Sequence, residues 1–210
     1  NFFDDVEEFI SNENIDVCGL VSNAGKRFGF FPYHKTPENI VTPIVSVKAI
    51  TQSKMIKIAL SLFIKRRQKS FIVVISAMSL TGPSTFVDPC NTVPFMSIYE
   101  GINAFSYFHA NSVYEELKTN PIYKNIDFIN ITPAGVNTSN TKDFLKNTPF
   151  ISNNHDFVKS SIKLIGNFNG TTCGSLIHSF SYFLPSFIPM SLFFKKQTLY
   201  NTGLSIAKHY

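Results

Sequence analysis

The sequence has no tryptophan and only three cysteines, Cys18, Cys90 and Cys173. They are odd in number, far apart and free of CxxC spacing, which excludes a zinc knuckle and a disulfide framework. Cys18 lies in an apolar run and is expected to be a buried thiol. The five histidines (His34, His109, His155, His178 and His209) form neither HxxxH nor HExxH, so no metal is expected. Charged residues are also scarce, 16% of 210 against 44% hydrophobic. That balance excludes a disordered chain and allows one domain with a sizeable core. The net charge is a modest +5. Its densest cluster, Lys65-Arg66-Arg67-Gln68-Lys69, has no recognition motif around it, so nucleic acid is not an expected partner. Two readings of the cluster remain. Its cations offset a helix dipole, or they meet an anionic membrane surface or a phosphate-bearing ligand.

What is present is an alternation of strands and helices. Asp4 to Ile10 reads as a helix, and Val17–Val21 as an apolar strand ending in Ser22-Asn23-Ala24-Gly25. Residues 26–42 carry Gly29, Pro32 and Pro37 and read as a loop. A long helix is expected from Pro43 to Arg67, because Ile44, Val47, Ile50, Met55, Ile58 and Leu62 recur at helical spacing. Phe71–Ile75 is continuous, largely β-branched and uncharged, as a parallel strand buried on both faces should be. A Pro-rich loop over 79–95 leads to a helix from Ser97 to Leu117. A third strand, Ile126–Ile131, is broken by Pro133-Ala134-Gly135, and a short helix fits Asp156 to Ile165. Strand–helix–strand spacing of this kind implies an α/β fold with a parallel sheet and right-handed crossovers. The sequon Asn130-Ile131-Thr132 falls on a strand that should be buried and is read as a chance match.

Four features then line up in order: Asn23-Ala24-Gly25 after one strand, Ile75-Ser76-Ala77-Met78-Ser79 after the next, Tyr99 at a helix start, and Pro133-Ala134-Gly135-Val136-Asn137-Thr138 after the third. This order resembles the short-chain dehydrogenase/reductase family, and within it the branch of 17β-hydroxysteroid dehydrogenases and very-long-chain 3-oxoacyl-CoA reductases. Phe157–Lys163 resembles that branch's late helix, and Gly174–His178 with Leu184-Pro185-Ser186 its C-terminal strand and apolar tail. The match covers nearly the whole chain but only the second half of the family's domain.

The resemblance implies a Rossmann-like doubly wound parallel sheet and a nicotinamide cofactor, NADP or NAD. It implies that Tyr99 donates a proton to a ketone, on a 3-oxoacyl-CoA or steroid-like substrate. Asn23, Ala24, Gly25, Pro133 and Thr138 would lie against the cofactor. The family's lysine, four residues after the tyrosine, lowers the phenol from about 10 and holds the cofactor ribose. Here that position is Asn103, which can hydrogen-bond a ribose hydroxyl but carries no charge. The carbonyl-polarising serine falls on Ala77, leaving Ser79 as the substitute. The family's active-site asparagine in the preceding helix falls on Ala49, with neighbouring Lys48 as its candidate replacement. The Gly-rich phosphate turn and the first strands have no counterpart, so the pyrophosphate would lack its helix N-terminus.

Residues 1–170 are expected to form the partial reductase domain, and 171–210 a C-terminal strand and tail. From Leu164 to Phe194 there is no Asp, Glu, Lys or Arg. Prolines 185 and 189 interrupt the stretch, which reads either as leading into a membrane-surface anchor or as a soluble apolar tail. The chain opens on Asn1 rather than Met and shows no signal peptide, as a fragment or processed product would. The strand at 17–21 would form an exposed apolar edge, so a missing N-terminal half or a partner chain is expected to cover it. The resemblance further implies a homodimer through the two long helices, with Phe105 and Phe108 either in that interface or against the sheet. It also implies a location at the cytosolic face of the endoplasmic reticulum membrane.

Overall fold

The structure, a computed structural model, describes residues 1–25, 29, 31–77, 95–138, 141 and 151–180. Helix α1 (Phe2–Asn12) is capped by Asn1, whose side chain accepts from the Phe3 amide. Four parallel strands follow in the order β1 (Gly19–Ser22), β2 (Ser70–Ile75), β3 (Ile126–Ile131) and β6 (Gly170–Thr172). β2 and β3 pair over their full length, Ser70 opposite Ile126 and Ile75 opposite Ile131. Two-residue strands β4 (Val136–Asn137) and β5 (Ser152–Asn153) form a separate parallel pair.

The alternation along β2 and β3 sets the layers. Ile72, Val74, Ile126 and Phe128 point to the face packed by Ile56, Ala59 and Phe63 of α3 (Gln52–Phe63) and by Ala110 and Leu117 of α4 (Ser97–Thr119). Val73, Ile129 and Ile131 point to the other face, against Phe157 of α5 (Asn154–Ile162). Helices therefore cover both faces, as the doubly wound fold class requires. Coverage is incomplete at the edge strand β1, where Leu20 packs into the first cluster while Val21 remains 56% exposed.

Several expectations are corrected. The long helix begins at Glu38, not at Pro43. Pro37 caps α2 (Glu38–Val45), and Glu38 offsets the dipole of the first turn. Pro43 sits inside α2 and gives up one backbone hydrogen bond. A wider π turn, Ser46–Thr51, then joins α2 to α3, with Thr51 Oγ1 donating to the Ser46 carbonyl at 3.1 Å. The helix ends at Phe63, so the basic cluster follows it. There Arg66 pairs with Asp16, and Lys69 with Asp127 at 3.7 Å. Cys18 is exposed, because it precedes the edge strand and only its carbonyl enters the ladder, accepting from the Phe71 amide at 3.0 Å. The last strand among the described residues is Gly170–Thr172, and the expected strand at 174–178 does not form. Gly174 has φ +77, which turns the chain out of the strand, and residues 176–180 are helical. Phe105 and Phe108 do not pack on the sheet; they are 41% and 68% exposed on the outer side of α4. The segment 181–210 lies outside the described residues.

Candidate active site

The parallel strands bring the sequence-selected residues to one edge of the sheet, the carboxyl ends of β1, β2 and β3. Asn23, Ala24 and Gly25 follow β1 as an exposed turn. Ser76 and Ala77 follow β2. Ser76 is buried and turned inward, donating through Oγ to Asn130 Oδ1 at 3.0 Å. Asn130 is held in turn by α4, its Nδ2 donating to Asn111 Oδ1 at 3.3 Å. Ser76 is thus committed to the sheet, as its place in the strand alternation requires. Ser79 lies outside the described residues.

Tyr99 stands in the first turn of α4, and Asn103 one turn further along the same face. Ala49 and Tyr99 pack with Phe31 and Ile98 around Ile44 and Ile102. Burial in this apolar setting pushes the Tyr99 phenol above its ordinary value. The Asn103 side chain opposes that shift, and the neighbouring Glu100 carboxylate adds to it. Among the described residues no cation enters the balance, and the net effect makes Tyr99 a weaker acid than free tyrosine. Asn103 is 1% exposed, and its side-chain amide is turned towards the Tyr99 phenol without a full hydrogen bond to another group among the described residues.

After β3, Pro133 opens a loop that returns as β4 and ends at Thr138. The Thr138 amide donates to Thr141 Oγ1 at 2.9 Å, and the two hydroxyls are also 2.9 Å apart. The Thr138 hydroxyl is therefore oriented by a local turn. Behind the loop, His178 Nε2 lies 2.9 Å from Ser152 Oγ and 3.1 Å from the Gly135 carbonyl. This buried cross-link carried no signal in the sequence, where His178 stands alone in an apolar run. A second one, Ser106 Oγ donating to Gln52 Oε1 at 2.6 Å, joins α4 to α3.

Lys48 enters the same edge from the π turn, its Nζ donating to the Ile75 carbonyl at 2.7 Å. A Cβ on Gly25 would meet, among the described residues, only Lys48 Cε at 3.7 Å, so the turn leaves room beside it. An open glycine turn and a loop after β3, both at the carboxyl ends of parallel strands, with Tyr99 and Asn103 on the helix between them in sequence, fit the nicotinamide side of a dinucleotide.

No family model matches the chain. It is 27% identical over 198 residues to the very-long-chain 3-oxoacyl-CoA reductase of Mus musculus, covering 93% of this chain and 58% of that protein. It is 29% identical over 194 residues to that of Bos taurus, covering 90% and 57%. The chain thus spans less than two thirds of the length of these relatives. Among solved structures it matches a short-chain dehydrogenase from Sphingobium yanoikuyae in complex with NADPH, with a TM-score of 0.65 at 16% identity, over 91% of this chain and 70% of that one. It also matches a 3-ketoacyl-(acyl-carrier-protein) reductase from Brucella melitensis complexed with NADH, with a TM-score of 0.61 at 17% identity, over 79% and 68%. The resemblance to short-chain dehydrogenases/reductases holds in fold, and the resemblance to very-long-chain 3-oxoacyl-CoA reductases holds in sequence.

Proposed function

We propose that this chain is the catalytic-side half of an NAD(P)H-dependent ketone reductase acting on a 3-oxoacyl-CoA or steroid-type substrate, with Tyr99 as proton donor. The observation that carries this reading is the placement of Tyr99 and Asn103 on one turn of α4, together with sequence similarity to 3-oxoacyl-CoA reductases across nearly the whole chain. The cofactor, when bound, supplies the hydride. The chain's own residues do the rest. Tyr99 presents its hydroxyl to the developing alkoxide, Asn103 offers its side-chain amide to a ribose hydroxyl, and the apolar cluster around Ile44 and Ile102 excludes water.

A second reading, a catalytically degenerate member serving as a binding or structural subunit, is favoured by the raised Tyr99 phenol and the uncharged Asn103. Calorimetry with NADPH on the full-length protein, followed by ketone-dependent NADPH oxidation, separates the two. Under the reductase reading the protein binds NADPH, and Tyr99→Phe removes turnover by about a hundredfold or more while binding persists. Absence of NADPH binding sinks the reductase, and turnover untouched by Tyr99→Phe removes Tyr99 from its role.

The reading carries three further expectations: an N-terminal half or partner chain covering β1, a homodimer using the outer side of α4, and attachment at the cytosolic face of the endoplasmic reticulum membrane. No helix among the described residues is long and apolar enough to cross a membrane.

A further inference from the structure

Lys48 is a part-buried charged group to which the proposed reaction has so far given no task. Its Nζ donates to the Ile75 carbonyl at 2.7 Å, and its Cε lies 3.7 Å from where a Gly25 Cβ would stand. It therefore bridges the carboxyl ends of β1 and β2, the crevice in which open α/β sheets take their ligands. An ammonium donates three hydrogen bonds, and a single carbonyl uses one of them. No carboxylate among the described residues pairs with it, and burial alone lowers its pKa to about 8. Tyr99 and Glu100, the titratable groups on the first turn of the facing helix, do not contribute to that shift, and neither the Asn23–Gly25 turn nor the end of β2 carries one. A part-buried cation without an anion is held at some cost to the fold, and a ligand that uses its two remaining donors would offset that cost.

We infer that Lys48 is the cation of this site and holds an oxygen of the bound nicotinamide nucleotide between the Asn23–Gly25 turn and the end of β2. The charge absent from position 103 on α4 is then delivered from the opposite helix. This rests on the ketone-reductase reading for the identity of the nucleotide. The geometry by itself points only to an oxygen-bearing ligand at the strand ends.

The test measures NADPH affinity by calorimetry, and thermal stability, in the full-length protein and its Lys48→Met, Lys48→Arg and Tyr99→Phe variants. Titrations run from about pH 6.5 to about pH 9.5, on either side of the lysine's value. Lys48→Met is expected to weaken NADPH about ten- to a hundredfold and to raise the melting temperature, because the charge whose burial costs stability is gone. Wild-type affinity is expected to fall as the pH rises through about 8 and the ammonium loses its proton. Lys48→Arg is expected to keep the affinity and abolish that fall. Wild-type affinity in Lys48→Met overturns the inference. So does a lowered melting temperature with affinity lost equally in Lys48→Arg, which is the pattern of a structural lysine. Lys48-dependent binding of free coenzyme A with unchanged NADPH binding overturns it as well. If Lys48→Met fails to fold, the pH profile of Lys48→Arg decides. A wild-type protein that binds no NADPH defeats both this inference and the reductase reading. Turnover that survives Tyr99→Phe defeats only the role of Tyr99.

Discussion

The two walls of the candidate site are built by different forces. The wall after β3 is a web of directed hydrogen bonds: His178 to Ser152 and to the Gly135 carbonyl, Thr138 to Thr141, and Ser160 to the Gly174 carbonyl. The wall formed by the π turn and the start of α4 is an apolar cluster, and its polar groups are less committed. Beyond the Tyr99 phenol, Asn103 Nδ2 makes no full hydrogen bond among the described residues, and Lys48 reaches one carbonyl. Paired polar groups make a scaffold, whereas less committed ones are open to a ligand; the loop wall holds one such atom, Ser161 Oγ, away from the strand ends beside Gly174. The difference assigns shape to the loop wall and chemistry to the helix wall.

That contrast can be broken first at Gly174. A Cβ there would stand 2.7 Å from Ile131 Cγ2 and 2.9 Å from Phe157 Cε2, at φ +77. Gly174→Ala is expected to cost about 3 kcal/mol, read from urea unfolding. Next comes His178, whose imidazole burial pushes below the usual histidine range, against the opposing pull of the Gly135 and Cys173 backbones. His178→Ala is expected to cost about 2 kcal/mol by stranding Ser152 and the Gly135 carbonyl. The pH sign follows from the lowered value. The folded chain keeps His178 neutral while the unfolded chain protonates near pH 6.5. Stability is therefore full above that pH and is lost as the pH falls below it. His178→Gln should make the loss shallower but not abolish it, since His109 is shifted in the same direction by burial. Equal acid sensitivity in wild type and variant would remove His178 from the loop's support.

On the helix wall the expected effects fall on rate. The raised Tyr99 phenol predicts that alcohol oxidation, which needs the tyrosinate, climbs only at pH above about 10. Asn103→Lys should bring that alkaline limb downward and raise the rate near neutrality about tenfold. An unmoved limb would show that charge at 103 does not limit Tyr99. The smallest effect is expected outside the site. Phe108→Ser, on the exposed side of α4, should change the stability of the isolated chain by no more than about 0.5 kcal/mol. A larger loss that grows on dilution would instead reveal a copy of the chain packed there.

Much of this fold was legible because its central strands state their environment. Ile126–Ile131 falls on the expected residues, and Phe71–Ile75 needed only Ser70 added, since continuous apolar strands are buried on both faces. Helix α4 was visible from its length and from the proline-rich loop before it. The start of α2 was hidden because Pro43 looks like a first-turn proline while Pro37 holds the cap. β4 and β5 are too short to leave a period. The site was half visible. Order along the chain located Tyr99, Asn103 and the two turns and pointed to Lys48 beside Ala49, but its contact with the end of β2 emerges only once a π turn and a parallel sheet bring it to Ile75. His178 is invisible in sequence because its partners, at 135 and 152, meet it only through tertiary packing.

A π turn is an α-helix with one residue too many, absorbed as a bulge. Each residue advances a helix by about 100°, so removing one position from Ser46–Thr51 would regularise the segment and rotate everything before it relative to everything after. The core contacts of α3 would stay in place, while Ile44 and Lys48 swung to another side. That single surplus residue therefore acts as an indexing notch, setting which side chains the first half of the helix aims at the strand ends without disturbing the half that builds the core.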